Sequence, residues 1–367
     1  ITLPNELTTI GSSAFNGCNG LTSIVIGRDV TRIGGYAFAD CNNVKEIYYN
    51  ATEVPDFTTS SNVFKNVGNA GGGITVIFGE TVAKIPANLF YNCGKLLHVS
   101  ISDSKASIGN YAFYGCNNLA SLTLGNGITS IGNYAFNGCS NLTSVTIPNS
   151  VTSIGSSAFS KCTGLKSITL PFAGEKADAS SNVSFGTDFG YIFGATNYNN
   201  IDDCIPSSLK TVTVTGNTSI GGYAFYGCER LENIIIGNSI TSIGEYAFSS
   251  CSNLTSITIG EGVTSIGNYA FYSCVNLETV FYNAKNVDYP VPSAKSYIFN
   301  NAGNSSGISV VFGDKVESIP QYLFYQCSNL TNITFSNSVR SIGHYTFSGC
   351  TGLTDLTIPE NMTGFGS

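Results

Sequence analysis

The chain has 367 residues, a formal net charge of −7 at pH 7 and charged side chains at only 11% of its positions. An acidic chain without a basic stripe argues against nucleic-acid binding, and no apolar run approaches the roughly 18 residues that a membrane-spanning helix needs. Only two histidines, His98 and His344, are present. Histidine-based metal or acid–base chemistry therefore has few candidate residues, and we expect no catalytic residues, no metal site and no cofactor.

A repeat of mostly 23 residues runs through the whole chain. Its unit reads I-G-x-x-A-F-x-x-C-x-x-L-x-x-[IV]-x-[IL], as at residues 131–147 and again at 154–170. The phenylalanine of the unit marks fourteen copies, at positions 15, 38, 64, 90, 113, 136, 159, 193, 225, 248, 271, 299, 324 and 347. Repeats of this length indicate a chain built from stacked copies of one supersecondary unit.

Each part of the unit predicts a local structure. The Gly after the first Ile favours a turn with an unusual φ, and A-F-x-x-C-x-x-L, apolar at every third position, predicts a helical or 3₁₀ turn. The last part, such as residues 144–147, alternates polar and apolar residues and predicts a short half-buried strand. Stacked copies would bury the apolar positions and align the strands in a parallel sheet with a spacing of about 4.8 Å.

The period lies in the leucine-rich-repeat range of 20–29 residues. The unit A-F-x-x-C-x-x-L-x-x-I-x-I, followed by P-x-S-V-T-x-I-G, resembles the BspA-type leucine-rich repeats of bacterial surface proteins. The usual interior Asn after the strand is missing, so no asparagine ladder is expected. The fold class expected is an α/β repeat solenoid: a single right-handed leucine-rich-repeat superhelix over residues 1–367, with a parallel sheet of about fourteen short strands. The chain begins at Ile1, and we expect it to be a fragment of a longer secreted protein.

Eleven of the twelve cysteines occupy one repeat position, and Cys204 lies outside it. The column could be a disulfide or metal framework, since neighbouring Cα atoms about 5 Å apart are close enough to bridge. It could equally be a stack of small buried residues, because free Cys packs well in cores. The odd number and the absence of C-x-x-C favour the buried, reduced column. Cys204 is then the thiol expected to be most exposed.

Three insertions interrupt the period, at residues 51–63, 171–204 and 284–298. Insertions in repeat proteins map to loops that often bind ligands, although they are also tolerated as surface decoration. The first and third are related, because residues 41–51 resemble 274–284 at an offset of 233. The chain therefore also contains a longer duplication, with an offset of 233 residues, in addition to the 23-residue repeat.

The solvent-facing strand positions predict the candidate binding residues. Of 28 such positions 17 are Ser or Thr, but Tyr48 and Ile77 flank the first insertion, and Phe281 and Val311 flank the third at offsets of 233 and 234. Clustered exposed apolar residues are typical of contact surfaces, so these four residues with loops 51–63 and 284–298 form two hypothetical ligand-binding patches. The alternative is that each loop folds over its own apolar pair.

Two further features have both a structural and a functional interpretation. The Tyr two positions before the marker Phe, at 36, 111, 134, 223, 246, 269 and 345, should form a stacked surface column that could also be a binding strip. Asp202 and Asp203 give a weak hint of calcium, but solvated loop residues are the better interpretation.

Three function classes remain, and an enzyme is the least favoured because no nucleophile, base and orienting group can be assembled. The resemblance implies an extracellular protein of the bacterial cell surface that recognises host or bacterial surface proteins or glycans in adhesion. The alternative is a structural spacer that displays another domain away from the cell surface.

Overall fold

The computed structural model describes residues 1–4, 6–176, 188–197, 200–216, 219–285, 287, 297–304 and 306–366. Contacts between Cα atoms divide the chain into two units. Unit 1 comprises residues 1–168, 192–195 and 206–208, and unit 2 comprises residues 169–191, 196–205 and 209–367.

Unit 1 is a parallel β-solenoid in which a turn contributes a long strand of three to six residues and, in most turns, a short strand of two. Its strands are β1 (Thr9–Ile10), β2 (Ser23–Ile26), β3 (Arg32–Ile33), β4 (Glu46–Tyr49), β5 (Ile74–Phe78), β6 (Lys84–Ile85), β7 (Leu96–Ile101), β8 (Ser107–Ile108), β9 (Ser121–Leu124), β10 (Ser130–Ile131), β11 (Ser144–Thr146) and β12 (Ser153–Ile154). The long strands β2, β4, β5, β7 and β9 pair in that order, and the short strands form β1–β3 and β6–β8–β10–β12. All these pairings are parallel.

Unit 2 repeats this arrangement. Strand β13 (Ser167–Leu170) and a 3₁₀ helix (Phe189–Phe193) span the boundary between the units. The elements of unit 2 are α1 (Ile201–Cys204), β14 (Thr211–Val214), β15 (Asn233–Ile236), β16 (Ser242–Ile243), β17 (Ser256–Ile259), β18 (Ser265–Ile266), β19 (Thr279–Tyr282), β20 (Ile308–Phe312), β21 (Ser318–Ile319), β22 (Leu330–Thr334), β23 (Ser341–Ile342) and β24 (Gly364–Phe365). The long strands β14, β15, β17, β19, β20 and β22 pair in that order, and the short strands form β16–β18 and β21–β23–β24.

The core consists of columns of identical residues, one from each turn. Phe136 stacks between Phe113 and Phe159 with ring centroids 5.2 and 5.4 Å apart, and the marker Phe, the Ala before it and Leu142 of the same turn are fully buried. In unit 2 the rings of Phe225 and Phe248 stack at 5.0 Å in the same way. The prediction of a parallel β-solenoid of about fourteen leucine-rich turns is confirmed.

The α part of the predicted α/β class is wrong. The A-F-x-x-C segments are consecutive turns, and among the described residues the only helices are the 3₁₀ helix and the four-residue α1. The reason is local: Tyr134 and Gly138, two residues before and two after Phe136, have φ of 56° and 79°. Left-handed residues at this spacing interrupt a right-handed helix within one turn. The handedness of the winding and the single-domain organisation stay predictions.

The repeated Gly has a different role from the one predicted. Gly155 does not have a positive φ; instead a Cβ there would lie 2.4 Å from the backbone N of Asn133 in the preceding turn. Gly132 and Gly267 are in the same position, with 2.6 Å to Asn110 N and 2.3 Å to Glu245 N. This Gly therefore allows close approach of two backbones, directly after the short strand.

Asparagines at another repeat position, before the marker Leu or Val, link adjacent turns. Asn43, Asn118 and Asn276, each just before the marker Leu or Val, donate side-chain N–H groups to backbone carbonyls 24 residues earlier, over 2.8, 2.6 and 2.9 Å. These bonds give turn carbonyls of the preceding coil a hydrogen-bond partner.

Candidate binding surface

The predicted residue pair of unit 1 lies side by side on the sheet. Tyr48 of β4 is in register with Ile77 of β5, and on its other side with Val25 of β2. All three side chains are half-buried, while their neighbours Ile47 and Val76 are buried. The structure therefore places a row of three apolar side chains on the solvent face, one residue longer than the sequence hypothesis.

Tyr48 is also part of a polar contact on that face. Its hydroxyl donates a hydrogen bond of 3.2 Å to Glu46 Oε2. The hydrogen bond and the charge of Glu46 raise the pKa of the Tyr48 hydroxyl above its usual value. Tyr48 thus presents an apolar ring with a neutral hydroxyl fixed at its rim, which suits mixed apolar and polar contact.

The predicted pair of unit 2 is arranged in the same way. Phe281 of β19 is in register with Val311 of β20 and, on its other side, with Thr258. Ile235 follows beyond Thr258 in the same row. The Phe281 side chain is 42% exposed, which is unusual for a phenylalanine and marks it as the most accessible of the four predicted residues.

The first insertion forms hydrogen bonds and an ion pair with residues beside the short strand β6, away from Tyr48. Thr52 O accepts a hydrogen bond from Ala83 N, Phe57 N donates to Ala87 O, and Asp56 accepts from Ala87 N. Asp56 also pairs with Lys84 at 2.8 Å. Among the described residues, no hydrogen bond or ion pair therefore joins this loop to Tyr48. In the third insertion, residues 286 and 288–296 lie outside the described residues, as do 177–187 and 198–199 of the second.

The predicted tyrosine column is confirmed as stacked groups of rings at six of its seven positions, whereas the Tyr36 hydroxyl accepts a hydrogen bond from Asn62. Tyr111 and Tyr134 stack at 4.9 Å, and Tyr246 lies between Tyr223 and Tyr269 at 5.1 and 5.0 Å. A second column of tyrosines directly follows the marker Phe. Tyr91 stacks on Tyr114, and the rings that contact the first column are Tyr114, Tyr226, Tyr272 and Tyr325. Sequence reasoning missed this column, although the recurrence of Tyr directly after Phe is visible in the repeat.

The stacked tyrosines adopt a strained backbone conformation. Tyr111, Tyr134, Tyr246 and Tyr269 have φ between 54° and 57°, the left-handed region in which bulky residues are uncommon. A residue there costs of order 1–3 kcal/mol, and ring stacking is worth about 0.5–1.5 kcal/mol per pair. Tyr246 has a stacked neighbour on each side, and Tyr111 and Tyr134 stack on each other. Because each stacked pair is shared by two strained residues, stacking offsets part of the strain, which supports a structural role for the column.

The cysteine column is buried and directed at the backbone. Nine of its eleven members are buried, and Cys18 and Cys350 are half-buried; all twelve cysteines of the chain are free thiols among the described residues. Burial raises the pKa of Cys162 to about 12, and that of Cys139 well above its ordinary value. The thiols of Cys139 and Cys162 are therefore neutral, and the thiolate needed for nucleophilic or metal chemistry is suppressed at these positions.

Two features singled out in the sequence, Cys204 and Asp202, lie outside the column, in α1. Cys204, in α1, is half-buried, and burial together with the charge of Asp203 raises its pKa. Asp202 pairs with Arg230 at 3.0 Å and accepts a hydrogen bond from its backbone N, so this carboxylate is engaged without calcium. In the part of the chain that the structure describes, no three His, Cys, Asp or Glu side chains are grouped as metal ligands would be, and no helix has the length and apolar character to cross a bilayer.

Comparison with known proteins identifies the repeat. A sequence model of the family described as BspA type leucine rich repeat region (6 copies) matches residues 1–85, 83–185, 190–294 and 283–367. No curated protein matches the chain.

Solved structures of bacterial leucine-rich repeat proteins resemble the chain. A leucine-rich repeat protein from Bacteroides ovatus ATCC 8483 is 26% identical, over 94% of this chain and 83% of that one, with a TM-score of 0.38. A leucine rich cell surface protein from Faecalibacterium prausnitzii A2-165 is 23% identical, over 91% and 87% of the two chains, with a TM-score of 0.31. The T. pallidum leucine rich repeat protein is 24% identical, over 57% and 79%, with a TM-score of 0.32.

Proposed function

Since the chain belongs to the BspA-type leucine-rich repeat family, we propose that it is a non-enzymatic binding module of the bacterial cell surface. In this proposal it is extracellular and takes part in adhesion by recognising a protein or glycan on host or bacterial surfaces. The single observation that carries the proposal is the apolar row on the solvent face of the long strands. It is present twice, around Tyr48–Ile77 and around Phe281–Val311.

The composition of the surrounding sheet supports this assignment. Elsewhere the same row holds small hydroxyl residues, such as Ser100 beside Ile77 and Thr334 beside Val311. Thr and Ser suit a solvent-facing sheet, whereas large apolar side chains with a polar rim are typical of contact surfaces. An aromatic side chain at the centre of such a row is the type of anchor that dominates binding energy.

The second candidate function is a structural spacer, which is favoured by the tyrosine columns. Stacked rings on the turn face, such as Tyr111 on Tyr134, stabilise the coil without requiring a ligand. A spacer needs no exposed aromatic residue on the sheet, so the two candidates differ in what removal of Tyr48 and Phe281 would do.

A cell-binding assay with the whole chain tests the proposal. The protein is labelled with a fluorophore, and its binding to cultured epithelial cells and to intact bacteria is measured by flow cytometry. The double variant Tyr48→Ser, Phe281→Ser should lose binding while its melting temperature stays nearly unchanged, because neither side chain is in the core. The spacer predicts no binding by the unaltered protein.

The matched control replaces exposed residues of the same sheet face, Thr123→Ala with Thr146→Ala. This control should bind as the unaltered protein does, because it removes hydroxyl groups outside both apolar rows. Unchanged binding by the Tyr48, Phe281 variant would contradict the assignment of the site, and equal losses in both double variants would assign the effect to the sheet in general.

A further inference from the structure

A cleft in unit 1 lies between the first insertion and the short strands β1 and β3. It has a volume of about 530 Å³ and is lined on one side by Thr9, Ser12 and Arg32 and on the other by Pro55 and Phe57. This volume lies in the range of small-ligand sites, which are about 300–1,000 Å³. The cleft exists because residues 54–57 take the place of a short strand and stand off from β3.

Basic residues flank this insertion at a position that is serine in seven other short strands. The first residue of a short strand is Ser in β8, β10, β12, β16, β18, β21 and β23. Before and after the first insertion it is Arg32 and Lys84 instead. The third insertion, which belongs to the duplicated copy, is flanked by Ser265 and Ser318, so the basic pair is specific to the cleft.

The two basic residues differ in their partners. Lys84 Nζ lies 2.8 Å from Asp56 Oδ1, and the same carboxylate oxygen accepts the backbone N–H of Ala87. Asp56 lines the cleft as well, but its carboxylate is engaged by Lys84 and by the Ala87 backbone. Arg32 is exposed, and among the described residues its guanidinium has no recorded ion pair. The cleft thus contains one available guanidinium, whose register partner across the β1–β3 pair is Thr9.

We propose that this cleft binds an acidic sugar residue through its carboxylate. A guanidinium binds a carboxylate through two parallel hydrogen bonds, which gives both energy and orientation. The hydroxyl groups of Thr9 and Ser12 can donate to and accept from sugar hydroxyls, and that of Thr31, which donates to the carbonyl oxygen of Thr8, can accept. Pro55 and Phe57 supply the apolar wall against which the C–H face of a pyranose ring packs. This site is separate from the apolar rows of the proposed function and does not rest on that proposal.

Ligand-observed NMR titration of the whole chain tests the proposal with three probes: D-glucuronate, D-glucose and N-acetylglycylglycine. Glucuronate should bind saturably, and glucose on the order of tenfold more weakly, because it lacks the carboxylate. A peptide carboxylate that binds more tightly than glucuronate would overturn the assignment to a sugar. Equal binding of glucuronate and glucose, or no saturable binding of glucuronate, would overturn the site itself.

Two charge-matched variants assign the effect to the cleft. Arg32→Gln should weaken glucuronate binding on the order of tenfold and leave glucose binding unchanged. Arg340→Gln removes the same charge from unit 2 and should leave both titrations unchanged. Equal affinity for glucuronate in Arg32→Gln and the unaltered protein would contradict the proposal, and the melting temperature of each variant verifies that it is folded.

Discussion

The Sγ atom of Cys162 lies 3.2 Å from the carbonyl oxygen of Phe136, one turn earlier in the solenoid. The same contact recurs 26 residues apart at Cys41–Phe15, Cys116–Phe90, Cys139–Phe113, Cys251–Phe225, Cys274–Phe248 and Cys350–Phe324. The thiol is thus a weak donor that links adjacent coils as well as a small apolar side chain. This explains why Cys stands at a position where packing alone would accept Ala.

Thiol labelling of the folded protein should distinguish the buried cysteines from the half-buried ones. In denaturant all twelve cysteines should react with a maleimide, and in the folded protein only the half-buried Cys18, Cys204 and Cys350 should do so. Labelling of Cys350, whose pKa is raised to about 12 mainly by burial, should accelerate as the pH rises, because the thiolate is the nucleophile. Peptide mass spectrometry reads out each site, and disulfide-linked pairs of column peptides would contradict the reduced column.

Replacement of one stacked ring should have a local effect. Phe136→Ala removes a fully buried side chain that contacts Phe113 and Phe159, and such truncations cost about 3–5 kcal/mol. Because neighbouring turns supply most of the contacts in a solenoid, hydrogen exchange should accelerate mainly over residues 113–170. An equal loss of protection along the whole chain would contradict nearest-neighbour stabilisation.

The periodicity predicted the core but not the backbone that encloses it. Phe136, Cys139 and Leu142 recur at fixed positions, and identical residues in register must stack, so their burial follows from the repeat alone. Gly155 was misinterpreted because its requirement arises from the backbone of the preceding turn, a contact 22 residues away. The two-residue strand Ser153–Ile154 was missed because it is too short for a period of two to be recognised.

The candidate site was predictable to the same extent. The pairing of Tyr48 with Ile77 follows from the alternation in β4 and β5, whatever the length of the loop between them. The path of residues 51–63 could not be predicted, because an insertion has no equivalent in the other turns. Its contacts depend on single residues such as Asp56, which meets Lys84 only in the folded chain.

The role of the repeated Gly can be tested with a pair of Gly→Ala variants. Gly155→Ala places a Cβ 2.4 Å from a backbone atom, and overpacking of this kind costs typically about 1–3 kcal/mol. Gly20→Ala is the control, because Gly20 has no positive φ and nothing lies within 4 Å of its added Cβ. Chemical denaturation should show a loss for the first variant and a change within about 0.5 kcal/mol for the second. Equal stability of the two would contradict the close approach.

The last prediction concerns acid stability through Glu261, whose carboxylate lies 2.7 Å from Lys285 Nζ and 2.9 Å from Lys315 Nζ. The hydrogen bonds from Lys285 and Lys315 hold the pKa of Glu261 below its usual value in the folded state. A carboxyl group whose pKa is lower in the folded than in the unfolded chain stabilises the protein above the unfolded pKa, about 4.3. This contribution is lost as the pH falls through the folded pKa.

Glu261→Gln should therefore lower the melting temperature near neutral pH, and the difference from the unaltered protein should shrink below about pH 4.3. Added salt should reduce the difference at neutral pH, because the three side chains are partly exposed and their interaction is screened. Glu229→Gln is the control, since Glu229 is exposed and has no recorded ion pair among the described residues. A difference for Glu261→Gln that is the same at neutral and acidic pH would show that packing, and not the carboxylate charge, links these turns.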